Sequence, residues 1–199
     1  MIIGLTGGIG SGKTTVAKIF QNFDTVAVYI ADVEAKKIMN SSDAIRTKII
    51  AAFGKSTYKN DHLDRPYLAS IVFNNKEKLC VLNNIVHPEV ESNFQEFVQL
   101  NKKKTYVIYE SAILFESKSR QQFNFVISVF LTLEERVKRV IKRDHSSKQE
   151  VLDRIEHQWK EDKKLLLSNY LIHNQSLQEA ETSVKQIHSI LTKKKNIIG

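Results

Sequence analysis

Glycines are concentrated in one short stretch near the start of this chain. Five of its seven glycines fall between Gly4 and Gly12, and residues 7–14 fit the pattern G-x-x-x-x-G-K-[ST]. An apolar run precedes this stretch, and residues 14–20 carry apolar side chains at helical spacing. In a strand–loop–helix arrangement, consecutive N–H groups face an anion at the positive end of the helix. The sequence therefore predicts a phosphate-binding loop.

The residue types in this loop suit a nucleoside triphosphate. Lys13 can reach the β- and γ-phosphates as a point charge, and the Thr14 hydroxyl can ligate Mg²⁺. A glycine-rich turn that binds nothing is the alternative, and the predicted strand and helix on either side favour phosphate binding. We expect ATP to be contacted by Gly8, Ile9, Gly10, Ser11, Gly12, Lys13, Thr14 and Thr15.

Strands and helices are predicted to alternate along most of the chain. Four further strands are indicated by apolar, β-branched runs, and this alternation predicts an α/β fold with a parallel sheet covered on both faces. Residues 33–100 hold no clear strand and are predicted to be helical. Capping boxes at Thr132 and Ser147 predict helices over residues 134–144 and 151–167. The four strand candidates are residues 25–30, 105–109, 125–131 and 170–172.

The charge balance favours anionic partners. Thirty Lys and Arg against 22 Asp and Glu give a net charge of +8, which suits either nucleic acid or a small, multiply phosphorylated substrate. No nucleic-acid-reading motif is present, so the small substrate is the preferred interpretation. A single cysteine and the absence of a long apolar run predict a cytoplasmic protein without disulfides or membrane spans.

Short motifs follow the phosphate loop in a fixed order. They are Ala31-Asp32, Leu63-Asp-Arg65, Ile85-Val-His-Pro88, Leu114-Phe-Glu116, Lys138-Arg139, Arg143-Asp144, Arg154-Ile155 with Gln158, and Ile172-His-Asn174. Together with residues 4–15, this series resembles the dephospho-CoA kinase family, which are P-loop kinases of the nucleoside-monophosphate-kinase type. The resemblance runs from Met1 to about Asn174.

The resemblance implies a fold and an activity. The fold would be a P-loop NTPase three-layer fold in a single domain, residues 1–199, with five parallel strands in the order 2-3-1-4-5. Residues 33–100 would be a helical, acceptor-binding insertion, and residues 139–165 a lid. The implied reaction is phosphorylation of the ribose 3′-hydroxyl of dephospho-CoA by ATP with Mg²⁺, giving coenzyme A and ADP. The implied partners are these small molecules, with no nucleic acid and no membrane, for a monomer or weak oligomer.

The resemblance assigns catalysis to Lys13, Asp32 and Arg139. Asp32 follows the second predicted strand and would contact the acceptor 3′-hydroxyl. Phosphoryl transfer depends mainly on positioning and charge stabilisation, so Asp32 need not be a strong base. The alternative for Asp32 is the N-cap of a helix over residues 35–39.

Two more residues are assigned to the acceptor side. Arg65 would bind an acceptor phosphate, and its alternative is an ion pair with Asp64 or Asp61. His87 would lie near the pocket for dephospho-CoA. Its alternative is the start of a helix, with Pro88 in the first turn.

Three residues are assigned to the nucleotide side. Arg139 and Arg143 would clamp the phosphates or lie over the adenine, and Asn174 would contact the nucleotide from the last loop. With Arg136, the two arginines share one edge of a helix, so a solvated basic edge paired with Glu135 or Asp144 is the alternative. For Asn174 the alternative is a residue that forms a turn.

Three departures from the family's pattern lie close to these residues. Ala112 stands where the family often has proline, Lys118-Ser119 stands near the position of a usual Gly-Leu pair, and Gln175-Ser176 follows Asn174 where Asn-Gly is common. We expect these changes to alter a turn near the acceptor and the adenine loop. None removes a charged group that the reaction needs.

Overall fold

The computed structural model of the chain describes residues 1–72, 75–117 and 121–198, with only the backbone path for residues 196–198. The chain divides into two compact units, one of Met1–Ile30 with Asn101–Gly199 and one of Ala31–Leu100. Within the described ranges, every helix is too short or too polar to cross a bilayer.

Strands and helices alternate through the first unit, while the second is mostly helical. The strands are β1 (Ile2–Thr6), β2 (Val26–Ile30), β3 (Tyr58–Lys59), β4 (His62–Leu63), β5 (Tyr106–Glu110), β6 (Phe125–Phe130) and β7 (Tyr170–His173). The helices are α1 (Lys13–Gln21), α2 (Ala31–Ser41), α3 (Asp43–Phe53), α4 (Arg65–Val72), α5 (Lys76–Leu100), α6 (Leu133–Asp144), α7 (Lys148–Glu156), α8 (Glu161–Leu166) and α9 (Leu177–Ile198).

A five-stranded parallel sheet forms the centre of the first unit. Its strands lie in the order β2-β5-β1-β6-β7, and every neighbouring pair is parallel. Counted among the five strands of this sheet, that order is 2-3-1-4-5, so the predicted fold and strand order are confirmed. The central strands read as near-continuous apolar runs because both faces are covered. α1 and α9 pack together, and Val16, Phe20, Val184 and Leu191 from these helices join the core.

The second unit contains a hairpin that the sequence prediction missed. Tyr58 pairs with Leu63 in a two-stranded antiparallel sheet. The intervening Asn60 and Asp61 have φ of +48° and +64°, the left-handed conformation that a tight two-residue turn requires. The prediction of an insertion without strands is therefore wrong at this point, because strands of two residues cannot display an alternating pattern.

The predicted helix over residues 151–167 is also wrong in its length. The capping box at Ser147 forms as predicted, but α7 ends at Glu156 and α8 begins at Glu161. The backbone N–H of Trp159 donates to the carboxylate of Glu116 at 2.9 Å instead of continuing the helix. A tertiary contact has therefore replaced helical bonds that the local sequence would allow.

Candidate active site

The glycine-rich loop joins β1 to α1 at the carboxyl edge of the sheet. α1 begins at Lys13, and no side chain of the described residues caps its N-terminus. Gly12, the N-cap residue, has φ +88°, and Ser11 N–H donates to the Gly8 carbonyl at 3.1 Å. Lys13 is half-buried, while Thr14 and its neighbour in the first turn are exposed. The loop therefore presents backbone N–H groups and a lysine at the positive end of a helix.

Two glycines of the loop are required by close neighbours, and one of them, Gly12, also by its conformation. A Cβ atom on Gly12 would overlap the side-chain amide of Asn174, and Gly12 also has a positive φ. A Cβ atom on Gly8 would overlap the guanidinium of Arg136. The phosphate loop is thus contacted from outside by the side chains of Asn174, which follows β7, and Arg136 of α6.

Asn174, directly after β7, supports the phosphate loop. Its side chain is buried, and Nδ2 donates to the carbonyl oxygen of Ser11 at 2.8 Å. Its own backbone carbonyl and that of Gln175 accept hydrogen bonds from Nη2 of Arg139, at 3.0 and 3.1 Å. Arg139 is half-buried and lies beside Gly12. The structure therefore brings the predicted residues Arg139 and Asn174 together at the loop.

Arg143 forms its contacts away from the phosphate loop. It is exposed and makes a bidentate ion pair with Asp144, at 2.6 and 3.0 Å, which raises the pKa of Arg143 and lowers that of Asp144. Arg154 joins the same carboxylate at 3.2 Å. The pairing with Asp144 that was the alternative for this residue is present, and its contact with nucleotide stays a prediction.

Arg136 is the arginine that sequence reasoning gave least weight. It is 5% exposed, its Nε donates to the Ile9 carbonyl at 2.9 Å, and its Nη1 pairs with Glu161 of α8. Burial lowers the pKa of its guanidinium. Its position one turn before Arg139 was the only signal in the sequence that it faces the loop.

A second buried ion pair lies in the same region. Lys164 is 1% exposed, and its Nζ contacts Glu116 Oε1 and the Ala112 carbonyl, both at 2.8 Å. Burial lowers the pKa of Lys164, and the neighbouring Glu116 opposes that shift. Gln158 contributes Oε1, which accepts from the Ile9 N–H at 2.9 Å. Lys118 and Ser119, whose effect on a nearby turn was predicted, lie outside the described residues.

The residues assigned to the acceptor lie in the second unit. Asp32 is exposed in the first turn of α2, which already begins at Ala31, so the N-cap alternative for Asp32 is wrong. His87 lies inside α5, which continues through Pro88, so the helix-start alternative is also wrong. Partial burial lowers the pKa of His87.

Arg65 is the exposed first residue of α4. The carboxylates proposed as its ion-pair partners are engaged elsewhere, since Asp61 pairs with Arg46 at 2.7 Å and Asp64 with Lys59 at 2.6 Å. The ion-pair alternative for Arg65 is therefore wrong, and the residue is exposed.

The parallel sheet and the loop at the N-terminus of α1 define a P-loop phosphotransferase. The family model for dephospho-CoA kinase matches residues 1–179. A dephospho-CoA kinase from Carboxydothermus hydrogenoformans is 36% identical over 195 residues, covering 96% of this chain and 93% of the relative. The chain belongs to the dephospho-CoA kinase family. The prediction of a kinase that phosphorylates dephospho-CoA with ATP, the last step of coenzyme A biosynthesis, is thereby confirmed.

Solved structures agree with this assignment. The crystal structure of TT1252 from Thermus thermophilus has a TM-score of 0.83 and 30% identity, with 97% of each chain covered. A dephospho-CoA kinase from Campylobacter jejuni has a TM-score of 0.64 and 25% identity, covering 96% of this chain and 97% of the other.

Proposed function

We propose that the phosphate loop holds ATP and that its γ-phosphoryl group passes to the ribose 3′-hydroxyl of dephospho-CoA facing Asp32. The binding of ATP is supported by one observation. The N-terminus of α1 has no side-chain cap among the described residues, and it follows a loop whose glycines have positive φ, with Lys13 as the first helical residue. Such a loop binds phosphate oxygens through backbone N–H groups. The donor contacts proposed are those of residues 8–15, with Lys13 as a point charge on the β- and γ-phosphates.

Arg139 and Asn174 have distinct proposed roles on the donor side. One guanidinium nitrogen of Arg139 is used on backbone carbonyls, and the remaining donors of its fork lie beside Gly12, where they suit transferring phosphate. The amide of Asn174 is used on Ser11, so this residue supports the nucleotide through the loop. Arg143 would reach nucleotide phosphates only by giving up its pair with Asp144.

The residues of the loop fit Mg²⁺ as well. The Thr14 hydroxyl is exposed in the first turn of α1 and has no hydrogen-bond partner among the described residues. The described ranges contain no cluster of three or more His, Cys, Asp or Glu side chains that could hold a metal. Thr14 and phosphate oxygens would therefore supply part of the ligation, with water at the remaining octahedral positions. When bound, Mg²⁺ neutralises charge on the β- and γ-phosphate oxygens.

The second unit supplies the proposed acceptor side. Asp32, exposed at the start of α2, would accept a hydrogen bond from the attacking hydroxyl and take its proton late in the transfer. Arg65 is exposed and free of ion pairs among the described residues, so it suits a phosphate of dephospho-CoA. His87 would donate or accept a hydrogen bond near the same substrate. Residues 139–165 are proposed as a lid whose closure excludes water and limits ATP hydrolysis.

The setting of the reaction is part of the proposal. The partners are small molecules, without nucleic acid or membrane, and the protein acts as a monomer or weak oligomer in the cytoplasm. A single cysteine, Cys80, which is an exposed free thiol, supports a reducing compartment.

The deciding experiment measures ADP release from ATP and Mg²⁺ with dephospho-CoA, AMP or adenosine as acceptor. We expect release that depends on dephospho-CoA and a product phosphorylated at the 3′-hydroxyl. Equal release with all three acceptors, or with none, would leave a phosphate-binding loop but remove the acceptor assignment.

The role of Asp32 is tested by Asp32→Asn. Because the amide cannot take the proton of the hydroxyl, we expect kcat to fall about 100-fold with folding unchanged. Asp43→Asn is the matched control, since Asp43 is also exposed in the first turn of a helix of the same unit. Turnover of Asp32→Asn equal to that of the control would exclude the proposed contact with the acceptor.

A further inference from the structure

The peptide groups of Ile9, at the tip of the phosphate loop, are held by side chains from outside the loop. Its N–H donates to Gln158 Oε1 at 2.9 Å, and its carbonyl accepts from Arg136 Nε at 2.9 Å. Since the N–H of Ile9 is already used, Ile9 differs from the other residues of the loop proposed to contact ATP in that its N–H does not face phosphate. Its two bonds instead set the orientation from which the following N–H groups, from Gly10 onward, project.

The side chain of Ile9 is anchored in the same direction. It packs against a small apolar cluster of Val137, Val140 and Val151, which is separate from the core beneath the sheet. These valines belong to α6 and α7. The tip of the phosphate loop is therefore packed into the helices that follow β6, through its side chain as well as its backbone.

The segment between α7 and α8 completes this anchor. Arg136 is oriented by its ion pair with Glu161, the first residue of α8, and Gln158 lies three residues before Glu161. Two side chains that hold Ile9 thus both depend on residues 157–161. A shift of this segment would change both backbone hydrogen bonds of Ile9, one on each of the two peptide groups that flank its Cα.

The only tryptophan of the chain lies in this segment. Trp159 follows Gln158, and its backbone N–H donates to Glu116 Oε1 at 2.9 Å. Its ring lies parallel to that of Phe115, with centroids 6.3 Å apart, and Lys163 Nζ lies 3.4 Å from the ring centroid. Indole emission responds to such a charge, so the fluorescence of Trp159 reports on the position of the segment.

We propose that Gln158 is a positioning residue for phosphoryl transfer, which fixes the peptide of Ile9 and couples the phosphate loop to the segment that carries Trp159. ATP binding at the loop then shifts the segment through Gln158 and changes the emission of Trp159. The inference rests on the proposed binding of ATP at this loop and adds a residue and a coupling to it.

The test compares Gln158→Met, which keeps the length of the side chain but removes the acceptor, with Gln158→Glu, which keeps an acceptor oxygen. Gln186→Met is the matched control, because Gln186 is exposed on α9 and lies outside the proposed lid. For each protein, kcat and KM for both substrates are measured, together with thermal unfolding, ATP affinity by calorimetry and Trp159 emission during ATP titration.

In Gln158→Met we expect KM for ATP to rise about three- to tenfold, as for the loss of one hydrogen bond. KM for dephospho-CoA should stay within about twofold of wild type. A simple loss of folded protein would lower the total rate but leave both KM values unchanged, so the rise in KM for ATP distinguishes the two cases. The emission change on ATP binding should be lost in this variant while calorimetry still detects ATP. Gln158→Glu should restore most of the affinity and the emission change.

Three results would overturn the inference. The first is an unchanged KM for ATP and an unchanged emission response in Gln158→Met. The second is an equal loss in Gln158→Met and Gln158→Glu, because the acceptor would then be irrelevant. The third is wild-type protein that binds ATP by calorimetry without any change in Trp159 emission. Failure of dephospho-CoA to accept phosphate would contradict the proposed function but leave the calorimetric and emission tests intact.

Discussion

At the scale of single residues, the site depends on buried polar side chains that bond to backbone. Asn174 is the clearest case, since its amide nitrogen donates to Ser11 O at 2.8 Å in a site that is 4% exposed. A donor in such a site stabilises the loop only while its partner is an acceptor, because an unpaired buried polar group is costly. The chemical type of the side chain at this position therefore matters more than its size.

We predict that Asn174→Asp is more damaging than Asn174→Ala. Alanine removes one hydrogen bond, which should cost about 1 kcal/mol of stability and raise KM for ATP about fivefold. Aspartate has the same shape but sets a second acceptor against Ser11 O, so its unfolding free energy should be lower still. Thermal unfolding and ATP kinetics measure both effects.

The control for this pair is Gln175→Glu, since the neighbouring Gln175 is exposed and only its backbone carbonyl is used by Arg139. The same amide-to-carboxylate change should there leave stability and KM for ATP nearly unchanged. An Asn174→Asp protein as stable as wild type would show that the amide nitrogen is not the group that holds the loop.

At the scale of elements, α9 is attached to the sheet partly through an ionisable ring. His188 of α9 stacks on Phe23 with ring centroids 3.9 Å apart, and its Nδ1 lies 2.6 Å from the hydroxyl of Tyr106. Burial raises the pKa of Tyr106, so this hydroxyl keeps its proton and can donate it to Nδ1 of a neutral imidazole. Burial also lowers the pKa of His188 from its ordinary 6.5. The attachment of α9 therefore favours the uncharged ring.

We predict a pH dependence of stability that His188 causes. Because its pKa is lower in the folded protein than in the unfolded chain, the stabilisation is complete above pH 6.5 and is lost as the pH falls through the folded pKa. The midpoint temperature of thermal unfolding should decrease as the pH is lowered from about 7 to about 5.5, and His188→Gln should make this decrease smaller. The N-terminal amine, whose pKa is also lowered, titrates in both proteins, so the difference between them isolates the histidine.

The exposed His62 of the hairpin provides the comparison. In His62→Gln, the midpoint temperature of unfolding should change with pH as it does in wild type. Equal slopes for His188→Gln and wild type would mean that α9 is attached equally well by a charged ring.

At the scale of the whole molecule, the sheet was predictable and the support of the site was not. Strand positions, their order and the phosphate loop follow from local patterns and from a family resemblance that spans most of the chain. The contacts of Gln158, Glu161 and Lys164 were missed because their partners, Ile9, Arg136 and Glu116, are far away in sequence. The spacing of apolar residues along a helix or strand does not indicate a contact between side chains so distant in sequence. The end of α7 was misplaced for the same reason, since a tertiary bond from Trp159 decided it.

The net charge of +8 also acts at the scale of the whole molecule, and salt tests what it serves. A polymer bound across six to ten phosphates would lose about 10³- to 10⁵-fold in affinity between about 50 and 200 mM salt. ATP and dephospho-CoA each present only a few charges to a preformed site, so we predict that KM for each rises less than about tenfold over that range. Duplex DNA or RNA added at about 150 mM salt should not inhibit the kinase reaction, because the sequence contains no motif that reads nucleic acid. Steep salt dependence together with inhibition by nucleic acid would instead assign the positive surface to a polymeric partner.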